Sequence, residues 1–166
     1  MSWTEFALFL HILIAVVGFG PTFVFGIIGF KGGKEPAHVN FALRLGETIA
    51  KRLVLPLAVA MPLVGTWLIF LRGWDLWASE WLWISIILYV LAFSNSLFVL
   101  IRTGSKLVRL TEHMPAAQPG AVPAGPPPEV ARLVRVQRIA GPINLLLIAT
   151  ITLLMVWKPG GALTGS

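Results

Sequence analysis

The sequence predicts an all-α integral membrane protein whose single domain, residues 1–166, is a four-helix transmembrane bundle. Only 12% of its residues are charged and 57% are hydrophobic, whereas about 25% of an ordinary soluble domain is charged. The apolar residues form separate runs, each close to the roughly 20 residues needed to cross the hydrocarbon core of a bilayer. The predicted spans are residues 6–30, 53–71, 82–101 and 139–157.

The first predicted span lies close to the N-terminus. The chain opens Met1-Ser2-Trp3-Thr4-Glu5, without the basic residues that precede the apolar stretch of a cleavable signal peptide. We therefore expect this span to be retained. Cysteine is absent, which excludes disulfides, thiolate metal sites and covalently attached c-type haem.

The second span is expected to continue a helix that starts before the membrane. Residues 41–52 have the pattern of a basic amphipathic helix that leads into the span. Within the span, Pro56 and Pro62 should bend the helix, because each removes a backbone donor. Neighbouring helices or polar side chains must then satisfy the carbonyl groups left behind.

The segment between the third and fourth spans contains two predicted cationic helical extensions, residues 103–114 and 129–138. The run between them, at about 115–128, is rich in proline. It is therefore expected to be a flexible loop that cannot form a regular helix. Presentation of a proline-recognition motif to a partner is the alternative for this run.

Lysine and arginine are distributed unevenly. The loops before the second span and after the third span hold eleven of the 13 basic residues, and such loops stay cytoplasmic. Both termini are therefore predicted to lie outside, in a bacterial inner membrane. The tryptophans lie near the side predicted to be external, where indole rings favour the membrane boundary; they are Trp3, Trp67, Trp74, Trp77, Trp81, Trp83 and Trp157.

The net charge of +6 is concentrated in these juxtamembrane segments. There, each basic residue gains about 1 kcal/mol from anionic lipid. Membrane phospholipids, with anionic lipid at the basic loops, are therefore the expected partners, and nucleic acid is not. A membrane-protein partner or a homo-oligomer stays open.

His11 is the only ionisable side chain inside a predicted span, where such a residue suggests packing, binding or proton relay. Its helical stripe continues through Ala15, Gly18, Thr22 and Gly26. Small residues at this spacing let helices approach closely, so we expect His11 to face the bundle. A hydrogen bond to a neighbouring helix is the structural interpretation of His11.

A haem ligand is the functional alternative for His11, because imidazole is a common axial ligand of haem iron. The antiparallel arrangement of the spans places Met155 nearest to its depth, which makes His11 and Met155 the candidate ligands of a haem b. The spans contain no second histidine, since His38 and His113 fall in basic loops. A proton relay is a further alternative.

A second polar layer is predicted about 9 Å inside the cytoplasmic boundary, counted at 1.5 Å per residue. It contains Asn95 and Asn144, with Ser94, Ser96 and Thr22 at a comparable level. Hydrogen bonds between helices three, four and one are the structural interpretation. A polar pocket for a headgroup or a quinone oxygen is the functional one.

Short motifs give the chain a family resemblance. The segment Phe9-Leu10-His11-Ile12-Leu13, then Gly18-x-Gly20-Pro21, Arg135-Val-Gln-Arg138 and Gly141-Pro142 resemble the predicted integral membrane proteins of domain-of-unknown-function family 2269, which implies four spans. The early histidine is more distantly similar to the membrane-bound protoporphyrinogen oxidase and copper-resistance D families, which suggests haem or copper at His11.

Sequence motifs of soluble enzymes are absent, including a phosphate-binding glycine loop, His-Glu-x-x-His and the Gly-x-Ser-x-Gly elbow. We therefore expect a structural or accessory subunit of a membrane assembly, not an enzyme. A b-type haem redox protein that uses His11, and a component of a small-solute transporter, are the two alternatives.

Overall fold

The computed structural model describes residues 1–34, 38–76, 78–112 and 126–158. Regular structure in these residues is entirely helical, and four of the helices are long and apolar enough to cross a membrane. The predicted fold class is therefore confirmed. The α-helices are α1 (Trp3–Lys34), α2 (Val39–Ile49), α3 (Leu55–Arg72), α4 (Glu80–Ser94), α5 (Arg102–Glu112) and α6 (Pro128–Trp157).

Two of the membrane-spanning helices contain π-helical turns. Ala50–Val54 joins α2 to α3, and Asn95–Ile101 joins α4 to α5, so that continuous helices run over Val39–Arg72 and Glu80–Glu112. With 34 and 33 residues, each of these helices is about 50 Å long, whereas the hydrocarbon core measures about 30 Å. Both helices therefore extend past the membrane, as the sequence predicted.

Local sequence accounts for several helix ends. Ser2 and Glu5 form a reciprocal capping pair at the start of α1, in which each side chain accepts from the other residue's backbone N–H. Gly73, with a φ of 62°, ends α3 in the left-handed conformation that glycine adopts without strain. Pro128 opens α6, where its missing donor costs nothing. The rest of the predicted proline-rich loop up to residue 125 lies outside the described residues.

The four spans pack as two antiparallel pairs. α1 packs chiefly on α3, and α4 packs chiefly on α6, with a smaller contact between α1 and α6. At one end of the molecule, which we call the basic end, α2, α5 and the first turns of α6 lie side by side. The opposite end, which we call the tryptophan end, carries the loop between α3 and α4 and the end of α6.

The perimeter of the bundle is apolar and exposed. In the most apolar window of each span, only 11% to 17% of the residues are buried within the chain. A surface of this kind is compatible with hydrocarbon and not with water, which makes the chain a multi-pass membrane protein.

Candidate functional site

The imidazole of His11 lies in the interface between α1 and α3. A Cβ placed on Gly65 of α3 would stand 3.4 Å from its Cε1 atom and 3.7 Å from its Nδ1 atom. Gly65 has no side chain, and this leaves the space that the imidazole of His11 occupies. Nδ1 is buried and has no hydrogen-bond partner among the described residues, so the hydrogen bond to a neighbouring helix that the sequence suggested is not formed by this atom.

Gly18 makes a second close contact in the same interface. A Cβ on Gly18 would lie 3.0 Å from the Cβ of Leu57 in α3, so a larger residue at Gly18 would require Leu57 to shift by a few tenths of an ångström. The two contacts, His11 with Gly65 and Gly18 with Leu57, also fix the antiparallel register of the two helices. Each helix contributes one glycine against a larger side chain of the other.

Thr22 and Gly26, two further members of the predicted α1 stripe, behave differently from Gly18. Gly26 is exposed, and a Cβ placed on it would meet no atom within 4 Å. It is therefore not a close-packing position within the chain, because the α1–α3 contact at Gly18 does not extend down this face. Thr22 is half-buried on α1, one turn beyond Gly18.

Met155 lies in the last turn of α6 and is half-buried. The His11 ring lies against Gly65 of α3, which packs more extensively on α1 than α6 does. The described residues also contain no group of three or more His, Cys, Asp or Glu side chains suited to a metal ion. The pairing of His11 and Met155 as ligands of a haem b stays a prediction.

The structure brings Asn95 and Asn144 together. The Asn95 Nδ2 atom donates to the Ala140 carbonyl oxygen at 3.0 Å and to the Asn144 Oδ1 atom at 3.3 Å. Asn144 is only 4% exposed, and Asn95 is the first residue of the π-helical turn. Within the described residues this polar layer joins spans three and four, and Thr22 of α1 takes part in neither of these two hydrogen bonds.

Gln137 and Thr103 extend this contact toward the basic end, and the sequence analysis did not select them. The Gln137 Nε2 atom donates to the Leu100 carbonyl oxygen at 2.9 Å and to the Thr103 Oγ1 atom at 2.7 Å. The available signal was an uncharged amide between Arg135 and Arg138, next to the predicted start of a span. Together the two contacts hold α6 in register with the helix that contains α4 and α5.

Tyr89, the only tyrosine of the chain, was also missed. Its hydroxyl donates to the carbonyl oxygen of Ala58 in α3. That carbonyl lies four residues before Pro62, so its usual helical donor is absent. Tyr89 thus supplies the compensation that the sequence required for Pro62 and links the two helix pairs.

Cations and indole rings combine at the tryptophan end. The Lys158 Nζ atom lies 4.9 Å from the ring centroid of Trp74 and 5.6 Å from that of Trp81. The two rings meet edge to face with centroids 5.3 Å apart. These cation–π contacts, each worth about 0.5–1 kcal/mol at exposed sites, hold the end of α6 against the loop between α3 and α4.

Ion pairs organise the basic end. Glu47 pairs with Lys51 within the second spanning helix, Arg44 reaches Glu112 of α5 at 3.9 Å, and Lys106 of α5 meets Glu129 of α6 at 2.6 Å. The amide of Asn40 in α2 also donates to the hydroxyl of Thr111 in α5. The carboxylates described at this end are thus paired with Lys51, Arg44 and Lys106.

No curated protein and no solved structure matches the chain. A family model described as "Predicted integral membrane protein (DUF2269)" matches residues 5–159. The match covers all four spans and both ends of the bundle, which agrees with the resemblance carried by the segments around His11 and Gly141. The chain therefore belongs to the family of predicted integral membrane proteins called DUF2269.

Proposed function

We propose that the chain is a non-catalytic structural or accessory subunit of a membrane assembly, and that its basic end contacts a membrane-protein partner. The observation that carries the proposal is an exposed apolar face on α2. Phe41 is 68% exposed and Leu45 is 41% exposed, and their spacing of four residues places them on one helical face.

The position of this face distinguishes it from the lipid-facing surface. Phe41 precedes Leu53, the predicted start of the second span, by about 18 Å along the helix axis. Hydrocarbon does not account for an exposed aromatic ring at that height when the helix stands along the bilayer normal. Exposed apolar patches rimmed by polar residues mark protein interaction sites.

Contacts between the helices of the basic end support the same proposal. α2 is held against α5 by the Asn40–Thr111 and Arg44–Glu112 contacts, so the face is presented on a fixed support. Because Arg44 is already paired with Glu112, this face offers a partner mainly the apolar side chains of Phe41 and Leu45.

The polar groups inside the spans argue against the transport alternative. Asn95 bonds Asn144, and Tyr89 bonds the Ala58 carbonyl, so these groups are used between helices of the chain and do not converge on a solute site. The haem alternative has less support because the His11 ring is packed against Gly65. A Soret band in the purified wild type that His11→Ala abolishes would favour haem over our proposal.

Native mass spectrometry of the complex extracted in mild detergent tests the proposal. We expect a stoichiometric complex with another membrane protein, and we expect Phe41→Ser with Leu45→Ser to dissociate it. Leu63→Ser is the matched control, because Leu63 is also 68% exposed but lies inside the second span. A lone monomer, or equal dissociation by the control, would refute the proposal, and a homo-oligomer would replace the partner with a second copy.

A further inference from the structure

The lipid-facing side of span three continues directly into basic side chains. Exposed apolar residues line this side of the helix within the membrane; they are Ile84, Ile87, Leu91 and Phe98. Arg102 and Lys106 then follow Phe98 at steps of four residues and are also exposed. Residues four apart share one helical face, so Arg102 lies on the face that meets lipid, whereas the Lys106 side chain reaches Glu129 of α6.

Arg102 is folded back toward the membrane. Its guanidinium carbon lies 5.2 Å from the ring centroid of Phe98, one turn nearer to the centre of the span. The Phe98 ring is 55% exposed, so the cation lies on the outer surface of the protein at the boundary of the hydrocarbon. Stacking uses the face of a guanidinium, and its N–H donors remain in the plane for a planar or tetrahedral anion.

The charge on Arg102 is not neutralised by any carboxylate in the described part of the chain. The carboxylates described at the basic end, those of Glu47, Glu112 and Glu129, pair with other cations. Lys106 shares its charge with Glu129, and within the described ranges no carboxylate pairs with Arg102. This exposed cation next to hydrocarbon therefore lacks an anionic neighbour among the residues that the structure describes.

We propose that Arg102, held on the ring of Phe98, binds the headgroup phosphate of an anionic phospholipid. The acyl chains of this lipid would lie along the exposed face that includes Leu91 and Phe98. A free phosphate ion would gain the charge contact alone, whereas a lipid also buries its chains on this face. The apolar surface next to Arg102 therefore favours a lipid phosphate over a free phosphate ion.

The test is a titration of the full chain in detergent with phosphatidylglycerol and with phosphatidylcholine of identical acyl chains, followed by native mass spectrometry. We expect Arg102→Gln to weaken phosphatidylglycerol binding about 5-fold, the loss of one juxtamembrane cation. Arg132→Gln is the matched control. It removes the same charge from the same end, but Arg132 lies about 10 Å farther from the membrane, seven residues before the predicted start of span four.

Phe98→Leu tests whether lipid binding depends on the position of the Arg102 guanidinium or only on its charge. It keeps an apolar side chain and removes the ring, so phosphatidylglycerol binding should fall while the net charge stays constant. Inorganic phosphate at the same phosphorus concentration should not displace the lipid. The proposal is overturned if Arg132→Gln weakens binding as much as Arg102→Gln, if phosphatidylcholine binds as tightly as phosphatidylglycerol, or if inorganic phosphate competes.

Discussion

The imidazole of His11 has a buried Nδ1 atom without a hydrogen-bond partner in the described part of the chain. A buried polar atom left unsatisfied costs about 1–3 kcal/mol. The ring nevertheless fills the space opposite Gly65. Its packing therefore stabilises the fold, whereas its unsatisfied Nδ1 atom destabilises it. An apolar side chain of similar volume would keep the packing contribution and remove the cost of the unsatisfied polar atom.

We accordingly predict that His11→Leu leaves the thermal unfolding midpoint of the detergent-solubilised protein unchanged or raises it. Asn144→Leu should lower the midpoint, because it deletes the acceptor of a hydrogen bond from Asn95. Circular dichroism on both variants makes the comparison. A clear loss of stability in His11→Leu would show that the imidazole makes a stabilising polar interaction, and would favour a ligand or partner at this residue.

Gly18 provides a second prediction, based on contact distance. In Gly18→Ala the new Cβ would lie 3.0 Å from the Cβ of Leu57, an atom that cannot move without its backbone. Leu57 must then shift by a few tenths of an ångström, and we expect a loss of about 1–3 kcal/mol, which is typical of overpacking. The measurement is again the unfolding midpoint.

Gly26→Ala is the control for this prediction. It lies on the same helix, and a Cβ there meets nothing within 4 Å. The substitution should be neutral or stabilising, since alanine is favoured over glycine in a helix by roughly 0.5–1 kcal/mol. Equal effects of the two substitutions would be inconsistent with close contact of α1 and α3 at Gly18.

At the scale of the helices, a proline in α3 is coupled to a hydroxyl in α4. Pro62 leaves the Ala58 carbonyl without its helical donor, and the Tyr89 hydroxyl takes its place. We predict that Tyr89→Phe lowers stability by about 1–2 kcal/mol, since it strands this carbonyl in the membrane interior. In a Pro62→Ala background the helix provides its own N–H, so the same Tyr89→Phe change should cost less.

A double-mutant cycle measures this coupling, with unfolding free energies for the four proteins. The interaction energy should be clearly different from zero, as found for residues that share one hydrogen-bond network. Additive effects of the two substitutions would mean that Tyr89 contributes only through packing of its ring. Leu91→Ala in both backgrounds supplies a control, because Leu91 lies on the exposed face of α4.

The sequence was sufficient to predict the spanning helices. The helix predicted over residues 41–52 is found as α2 and the π-helical turn after it, and the extension predicted over 103–114 is found as α5, Arg102–Glu112. These elements follow from the length of apolar runs and the spacing of charges, which the membrane constrains strongly. The same constraint required a partner for Pro62 but did not identify Tyr89.

The contacts of the candidate site residues were less predictable, for a physical reason. Depth alone paired His11 with Met155, whereas the structure places the imidazole against Gly65 because α1 packs chiefly on α3. Pairing of helices depends on shape complementarity over the whole interface, and small residues such as Gly18 and Gly26 look alike in sequence. Of these two glycines, only Gly18 is in close contact with another helix.

At the scale of the whole molecule, the two ends differ in chemistry. Cations on spans two, three and four, such as Arg52, Arg102 and Arg135, lie at or just past the predicted boundary of the basic end. The tryptophan end is closed instead by indole rings around Lys158. A bundle with this asymmetry has one favoured orientation, since moving several arginines across hydrocarbon costs about 2.5–3.5 kcal/mol each even on insertion scales.

We predict that the basic end faces the cytoplasm and the tryptophan end faces outward. Because the chain lacks cysteine, single-cysteine variants can be labelled without background. Leu76→Cys, in the exposed loop between α3 and α4, should react with a membrane-impermeant maleimide in intact cells. Thr48→Cys, exposed on α2, should react only after the cells are permeabilised. The reverse pattern would contradict the orientation, and labelling of both in intact cells would indicate two orientations in the membrane.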